Sequence, residues 1–225
     1  MTSARLEFRD VSRSFDDGAR STVLALRNTS FTLARGQCLR VLGPSGAGKS
    51  TLLSLACGLL LPTTGEVLLD GEPFSRWRES FRAEARRRRM SVVVQGLSLV
   101  SSMTVLENVL LAAIPDGLSS RASRDRAHAW LERLGIADLA LANVERLSGG
   151  ERQRVALARA LSAPTAELIV LDEPSAHLDA SRTEAVVAAL RERLDAGASA
   201  LVATHDPRLD LLGEALRLPE REVAL

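Results

Sequence analysis

The sequence predicts an α/β protein built on a mostly parallel sheet, with an N-terminal antiparallel β segment. Three observations carry this. Compact apolar runs such as "CLRVL" and "ELIVL" each stop at a glycine-rich or polar turn, as buried parallel strands do at the ends that carry chemistry. Helical periodicities lie between such runs, and strands that alternate with helices favour a parallel sheet. The opening third instead alternates apolar and polar residues between turn signals, the pattern of short, half-buried strands.

Taken in order, "RLEFRDVS" and "LALRNTSFTLARG" are the half-buried strands and "CLRVL" is the first buried one. An apolar helix begins "TLLSLACGLL". The arginine run Arg86 to Arg89 reads as a solvated segment leading into the strand "MSVVV". In "SRDRAHAWLERLGI", Ala127, Trp130, Leu131 and Leu134 share one helical face, and in "RVALARAL" so do Val155, Ala158 and Leu161. "ELIVL" is the next buried strand. "RTEAVVAALRERLDAG" sets Val186, Val187, Leu190 and Leu194 along a helix that stops at Gly197, and "SALVAT" supplies a further strand.

A chain of 225 residues suits one sizeable domain with a buried core. Its 29 basic and 28 acidic residues leave a net charge of +1, which argues against binding nucleic acid by bulk charge, and no nucleic-acid partner is expected. Cys38 and Cys57 form no C-x-x-C pair and the histidines are scattered, so neither a disulfide framework nor a zinc site is suggested, and a reducing cytoplasm fits. The N-terminus lacks an apolar signal core, and "LLSLACGLLL" is too short to cross a bilayer. Any membrane role is expected to come through a partner.

The strongest motif is "GPSGAGKST", comprising Gly43, Pro44, Ser45, Gly46, Ala47, Gly48, Lys49, Ser50 and Thr51. It fits G-x-x-x-x-G-K-[ST] and stands between a buried strand and a helix. Glycines let such a loop turn its N–H groups toward a β-phosphate, and the helix N-terminus adds its dipole. Lys49 is placed to span the β- and γ-phosphates, and the Ser50 hydroxyl to help hold Mg²⁺. Lys49 is also the only lysine; the other 28 basic residues are arginine.

"ELIVLDEP" supplies a second strand end. There Asp172 can join the Mg²⁺ shell, and Glu173 is the candidate general base toward attacking water. "LVATHD" repeats the pattern and brings His205 to a third strand end, where it is either structural or a γ-phosphate contact. Ser148 to Glu151 forms an S-x-x-E capping box, but capping does not explain Gly149 and Gly150 in succession. Paired glycines are useful where another group must approach the backbone closely.

"LSGGERQR" resembles the signature motif of the nucleotide-binding subunits of ATP-binding-cassette (ABC) transporters, and the likeness runs over nearly the whole chain in the expected order. The resemblance implies a P-loop NTPase core with an antiparallel β subdomain and a helical subdomain inserted at about residues 96–144. It implies one such ATPase domain over 1–225, two copies or paralogues pairing head to tail, and each signature facing the partner's ATP. Ser148, Gly149 and Gly150 then match the groups that touch the opposite γ-phosphate. Phe15 matches the aromatic that stacks on adenine, where the family more often has tyrosine. Gln95 matches the glutamine that contacts Mg²⁺ and senses the membrane subunit, Asp179 the dimer-contact loop, and His205 the switch histidine.

The resemblance further implies ATP and Mg²⁺ as cofactors and an integral membrane permease as partner. The chain would then lie in the cytoplasm, peripheral at the inner face of the membrane. A coupling helix would meet the surface near "SLVSSMTVLENV", whose apolar residues read equally as core. The motifs look most like the lipoprotein-release and macrolide-export branch. Two departures are "PSAHLD", where that branch has threonine, glycine and asparagine before the leucine, and "QGLSL", which lacks the usual aromatic. A soluble ABC ATPase acting on an assembly scaffold remains the alternative.

Overall fold

A computed structural model describes residues 4–16, 22–94, 99–116, 120–163 and 165–219. Strands β1 (Ala4–Asp16) and β2 (Thr22–Ala34) pair antiparallel, and β4 (Thr64–Leu69) pairs antiparallel on the other side of β1. β1 and β2 are not short, as the alternation suggested: each runs 13 residues. Register shifts along the pair let the strands bend where they would otherwise stop. One shift takes Arg13 opposite Leu26 but Ser14 opposite Leu24, so Ala25 is skipped.

The second sheet is parallel throughout, in the order β5-β6-β7-β3-β8, formed by β3 (Cys38–Leu42), β5 (Met90–Val93), β6 (Leu168–Asp172), β7 (Ser199–Ala203) and β8 (Glu214–Arg217). Its central strands are apolar on both faces because both are covered. Leu39, Val41, Leu168, Val170, Leu201 and Ala203 enter one core with α1 (Lys49–Ala56) and the antiparallel sheet. The alternate residues Ile169, Leu171, Ala200 and Val202 enter another with α5 (Gly149–Ser162) and α6 (Ala180–Asp195).

Between β5 and α5 lie α3 (Val105–Leu110), α4 (Ser120–Arg133) and short 3-10 turns, with one isolated bridge, Thr104 to Asn143, among the described residues. Val105, Val109, Leu131 and Leu134 are fully buried in the core shared with α5 and α6, so the "TVLENV" valines are packing residues. Cys38 and Cys57 are free and buried, and burial pushes both thiols up to about 12.

The arginine run departs from expectation: it is the last turn of α2 (Glu79–Arg89), and only part of it is solvated. Arg87 and Arg88 pair with Glu84 on the exposed face. Arg86 instead donates to the carbonyls of Cys57 and Gly58, capping the turn after α1. Arg89 joins a cluster in which Arg5, 5% exposed at its side chain, meets Asp70 at 2.7 Å and Glu167 at 2.5 Å. Arg35 adds a bond to Asp70. This cluster ties the antiparallel sheet to the start of β6, away from the motif-bearing strand ends.

Candidate functional site

Four neighbouring strands, β5, β6, β7 and β3, point the same way, so the segments that follow them share one edge of the sheet. After β3 comes the glycine loop. Gly48, the N-cap of α1, has φ 96°, and a Cβ there would lie 2.4 Å from the Ala25 carbonyl oxygen. Ala25 is the residue skipped in the β1–β2 register, so the bulge turns a carbonyl onto the loop. Gly46 also needs its positive φ of 79°, but faces open space. The Lys49 ammonium donates to the carbonyls of Gly43 at 2.6 Å and Pro44 at 3.1 Å.

From the first turn of α1, the Ser50 hydroxyl donates to Asp172 at 2.7 Å, joining the loop to the end of β6. This brings together two oxygen donors predicted to share one ion. Glu173 follows with φ 47°, its N–H bonded to the Ala203 carbonyl at 2.8 Å. A left-handed non-glycine residue stores backbone strain, and here the β7 contact holds it. His205 Nδ1 lies 2.8 Å from Glu173 Oε1, with the His205 side chain 83% exposed. That contact leaves the other ring nitrogen free of the carboxylate.

The signature segment behaves as the capping box predicts. Ser148 accepts from the Glu151 N–H at 3.3 Å, and Glu151 accepts from both the Ser148 N–H and hydroxyl. Those bonds hold the Glu151 carboxyl below the usual carboxylate range. The paired glycines differ. A Cβ at Gly149 would meet open space, whereas one at Gly150 would lie 3.3 Å from Cβ of His177. Gly150 is therefore small for a contact inside the chain. His177, in the "PSAHLD" departure, has φ 62°.

Asp179 caps α6 through the Arg182 N–H at 2.9 Å, and bonds from Arg182 and Ser181 lower its pKa. Phe15 lies at the exposed end of β1, with the Arg13 guanidinium 4.5 Å from its ring centroid. Gln95 lies outside the described residues; β5 ends just before it, at Val93.

Three contributors escaped the sequence reading: the Ala25 carbonyl, Arg13 over Phe15, and Gln153, whose amide donates to the Glu173 carbonyl at 3.3 Å. The last ties α5 to the catalytic-candidate strand end. A cleft of about 710 Å³ opens elsewhere, between α4 and the end of α6, and none of the motif residues lines it. Among the described residues, no three His, Cys, Asp or Glu side chains converge to hold a metal by themselves. The Ser50–Asp172 pair suits Mg²⁺, which binds through one or two protein oxygens and completes its shell with substrate phosphate and water.

A nucleotide-hydrolysing cassette is the class that this fold and strand-end geometry define. The ABC transporter family model matches residues 26–176. The lipoprotein-releasing system ATP-binding protein LolD of Roseobacter denitrificans is 37% identical over 207 residues, covering 92% of this chain and 91% of that protein. LolD 1 of Caulobacter vibrioides is 40% identical over 203 residues, covering 89% and 86%. A solved dimeric ATP-binding cassette in a post-hydrolysis state, bound to ADP and Pi, superposes with a TM-score of 0.85 at 29% identity, covering 95% and 94%. The chain belongs to the ABC transporter family, as one of its ATP-binding, ATP-hydrolysing subunits. Among the described residues no helix is long and apolar enough to cross a membrane.

Proposed function

We propose that this chain hydrolyses ATP·Mg²⁺ in a head-to-tail pair of cassettes and drives a separate integral membrane permease of the lipoprotein-release type. The reading rests on one observation above the others: the Ser50–Asp172 and Glu173–His205 pairs stand together at one edge of the parallel sheet. The loop from Gly43 to Thr51 cradles the phosphates, and Lys49 exchanges its carbonyl partners for β- and γ-phosphate oxygens. Ser50, Asp172 and Gln95 would hold the ion, which when bound would supply charge neutralisation for the transferring phosphoryl group.

Glu173 accepts the proton of the attacking water at its carboxylate, and His205 fixes the orientation of that carboxylate while presenting its free nitrogen toward the γ-phosphate. Gly149, open on its outer side, and Ser148 contact the γ-phosphate held by the partner copy. Asp179 contributes to the pairing surface, and Phe15 stacks on adenine. Residues 1–225 form one ATPase domain, with about 96–144 as its helical subdomain.

The permease docks beside the edge strand β5. A groove of about 350 Å³ there is lined by the apolar Leu59, Met90, Val92 and Val94 together with Arg86 and Arg87. The protein then works at the cytoplasmic face of the membrane. The test is Glu173→Gln: turnover is expected to fall about 10²- to 10⁴-fold while ATP binding persists. Trapped with ATP·Mg²⁺ in detergent-solubilised cells, this variant should co-purify with an integral membrane protein. Co-purification with a soluble scaffold alone would overturn the permease reading.

A further inference from the structure

Phe15 lacks the hydroxyl that a tyrosine would use to anchor itself, and the chain contains no tyrosine. Its ring stands at the exposed end of a strand, where a phenyl group alone has little to fix its orientation. The structure supplies something else. Arg13, two residues earlier, lays its guanidinium over the ring at 4.5 Å from the centroid. Arg13 is in turn pinned by a 3.0 Å bond from Nη1 to the carbonyl of Leu61, in the segment that follows α1.

The same strand end is laced to that segment by the Ser14 N–H on Thr63 Oγ1 and by Ser12 Oγ with Thr64 Oγ1. The platform is also close to the glycine loop. Phe15 pairs with Val23, two residues (about 7 Å) along the strand from Ala25. The Ala25 carbonyl abuts Gly48.

We propose that Arg13 is a positioning residue for the nucleobase: its guanidinium backs one face of Phe15, locks the ring, and leaves the opposite face for the purine. This rests on the reading of Phe15 as the base platform. Two physical effects act together. The cation–π contact replaces the missing hydroxyl as the orienting interaction, and the cation behind the ring draws π density away from the front face. Less repulsion then opposes the π face of the stacked base. The Leu61 anchor gives the device rigidity and connects it to the helix that starts at the phosphate loop.

The test compares binding of ATP with binding of inorganic tripolyphosphate by calorimetry. The affinity ratio isolates the base and ribose from the phosphate cradle. Phe15→Leu should lower the ratio about fivefold to a hundredfold, the range for loss of a base–aromatic stack. Arg13→Gln keeps an amide donor for the Leu61 carbonyl but loses the cation, and should lower the ratio about two- to fivefold. Arg13→Lys, which restores a cation, should recover part of it. Tripolyphosphate binding should stay unchanged in all three, which also reports that they fold.

A purely structural Arg13 would shift both ligands together and leave the ratio alone. If Phe15→Leu lowers the ratio and the Arg13 variants do not, the Arg13 proposal is overturned and the platform stands. If Phe15→Leu leaves the ratio unchanged, the platform reading fails and the proposal falls with it.

Discussion

A methyl group added at Gly48 meets two obstacles at once. The residue sits at φ 96°, where an L side chain is strained, and its Cβ would press to 2.4 Å from the Ala25 carbonyl oxygen. Backbone does not yield as a side chain end does, so Gly48→Ala should cost about 1–3 kcal/mol from the dihedral alone, with the contact added to it. Chemical denaturation would check this, with Gly46→Ala as the control that carries only the dihedral strain. The placement of the glycine loop, Asp172 and Glu173 at neighbouring strand ends was legible from sequence because a phosphate-binding motif has fixed residue types at fixed spacing. The Ala25 carbonyl was not, since a backbone atom aimed by a bulge leaves no mark in side-chain pattern. Arg13 was equally silent: a cation two residues from an aromatic is ordinary until the ring geometry is known.

Among the elements, the loops after β6 and β7 are fastened to each other. Asp206 accepts bonds from Arg208 and from Ser175, and the Arg208 guanidinium foremost holds its carboxyl far below the usual carboxylate range. A lowered folded-state pKa means that this stabilisation is present above the unfolded value, near 3.9, and is lost as pH falls through the folded one. Thermal unfolding of Asp206→Asn against the parent should therefore show a gap at pH 7 that narrows below about pH 4. A gap independent of pH would show that the carboxylate charge is not what matters. The helix α5 is linked to the same region by Gln153 on the Glu173 carbonyl and by Gly150 against His177. Here the sequence reading was partial. It gave the Ser148 cap and asked why two glycines follow, but only packing separates Gly149, which stays open, from Gly150, which makes room for His177. The arginine run was misjudged for a related reason: composition shows charge, while the turn carbonyls and carboxylates that receive it come from segments far away in sequence.

At the scale of the molecule, one sheet serves two cores, and every strand end with a motif lies on one edge while the Arg5–Asp70–Glu167–Arg89 cluster closes the structure away from it. The fold class was legible because buried parallel strands and their intervening helices have distinct periods; the length of β1 and β2 was not, since bulges carry a strand past points where alternation breaks. Head-to-tail pairing gives a further expectation. Lys49→Met and Ser148→Ala chains should each be inactive, and mixing them should restore part of the ATPase rate, because some hybrid pairs keep one intact composite site. No recovery on mixing, in a pair shown to exchange subunits, would count against shared sites unless hydrolysis needs both intact. The Lys49 ammonium has one more consequence. It is the only side-chain amine in the sequence, and it rests on two carbonyls of its own loop. An acylating reagent therefore has a single lysine to find, at the point where the phosphates are expected. The rate of modification at that one position, followed by peptide-mapping mass spectrometry to separate it from the terminal α-amine, should slow as ATP is added, making the chain a reporter of its own occupancy without any engineered probe.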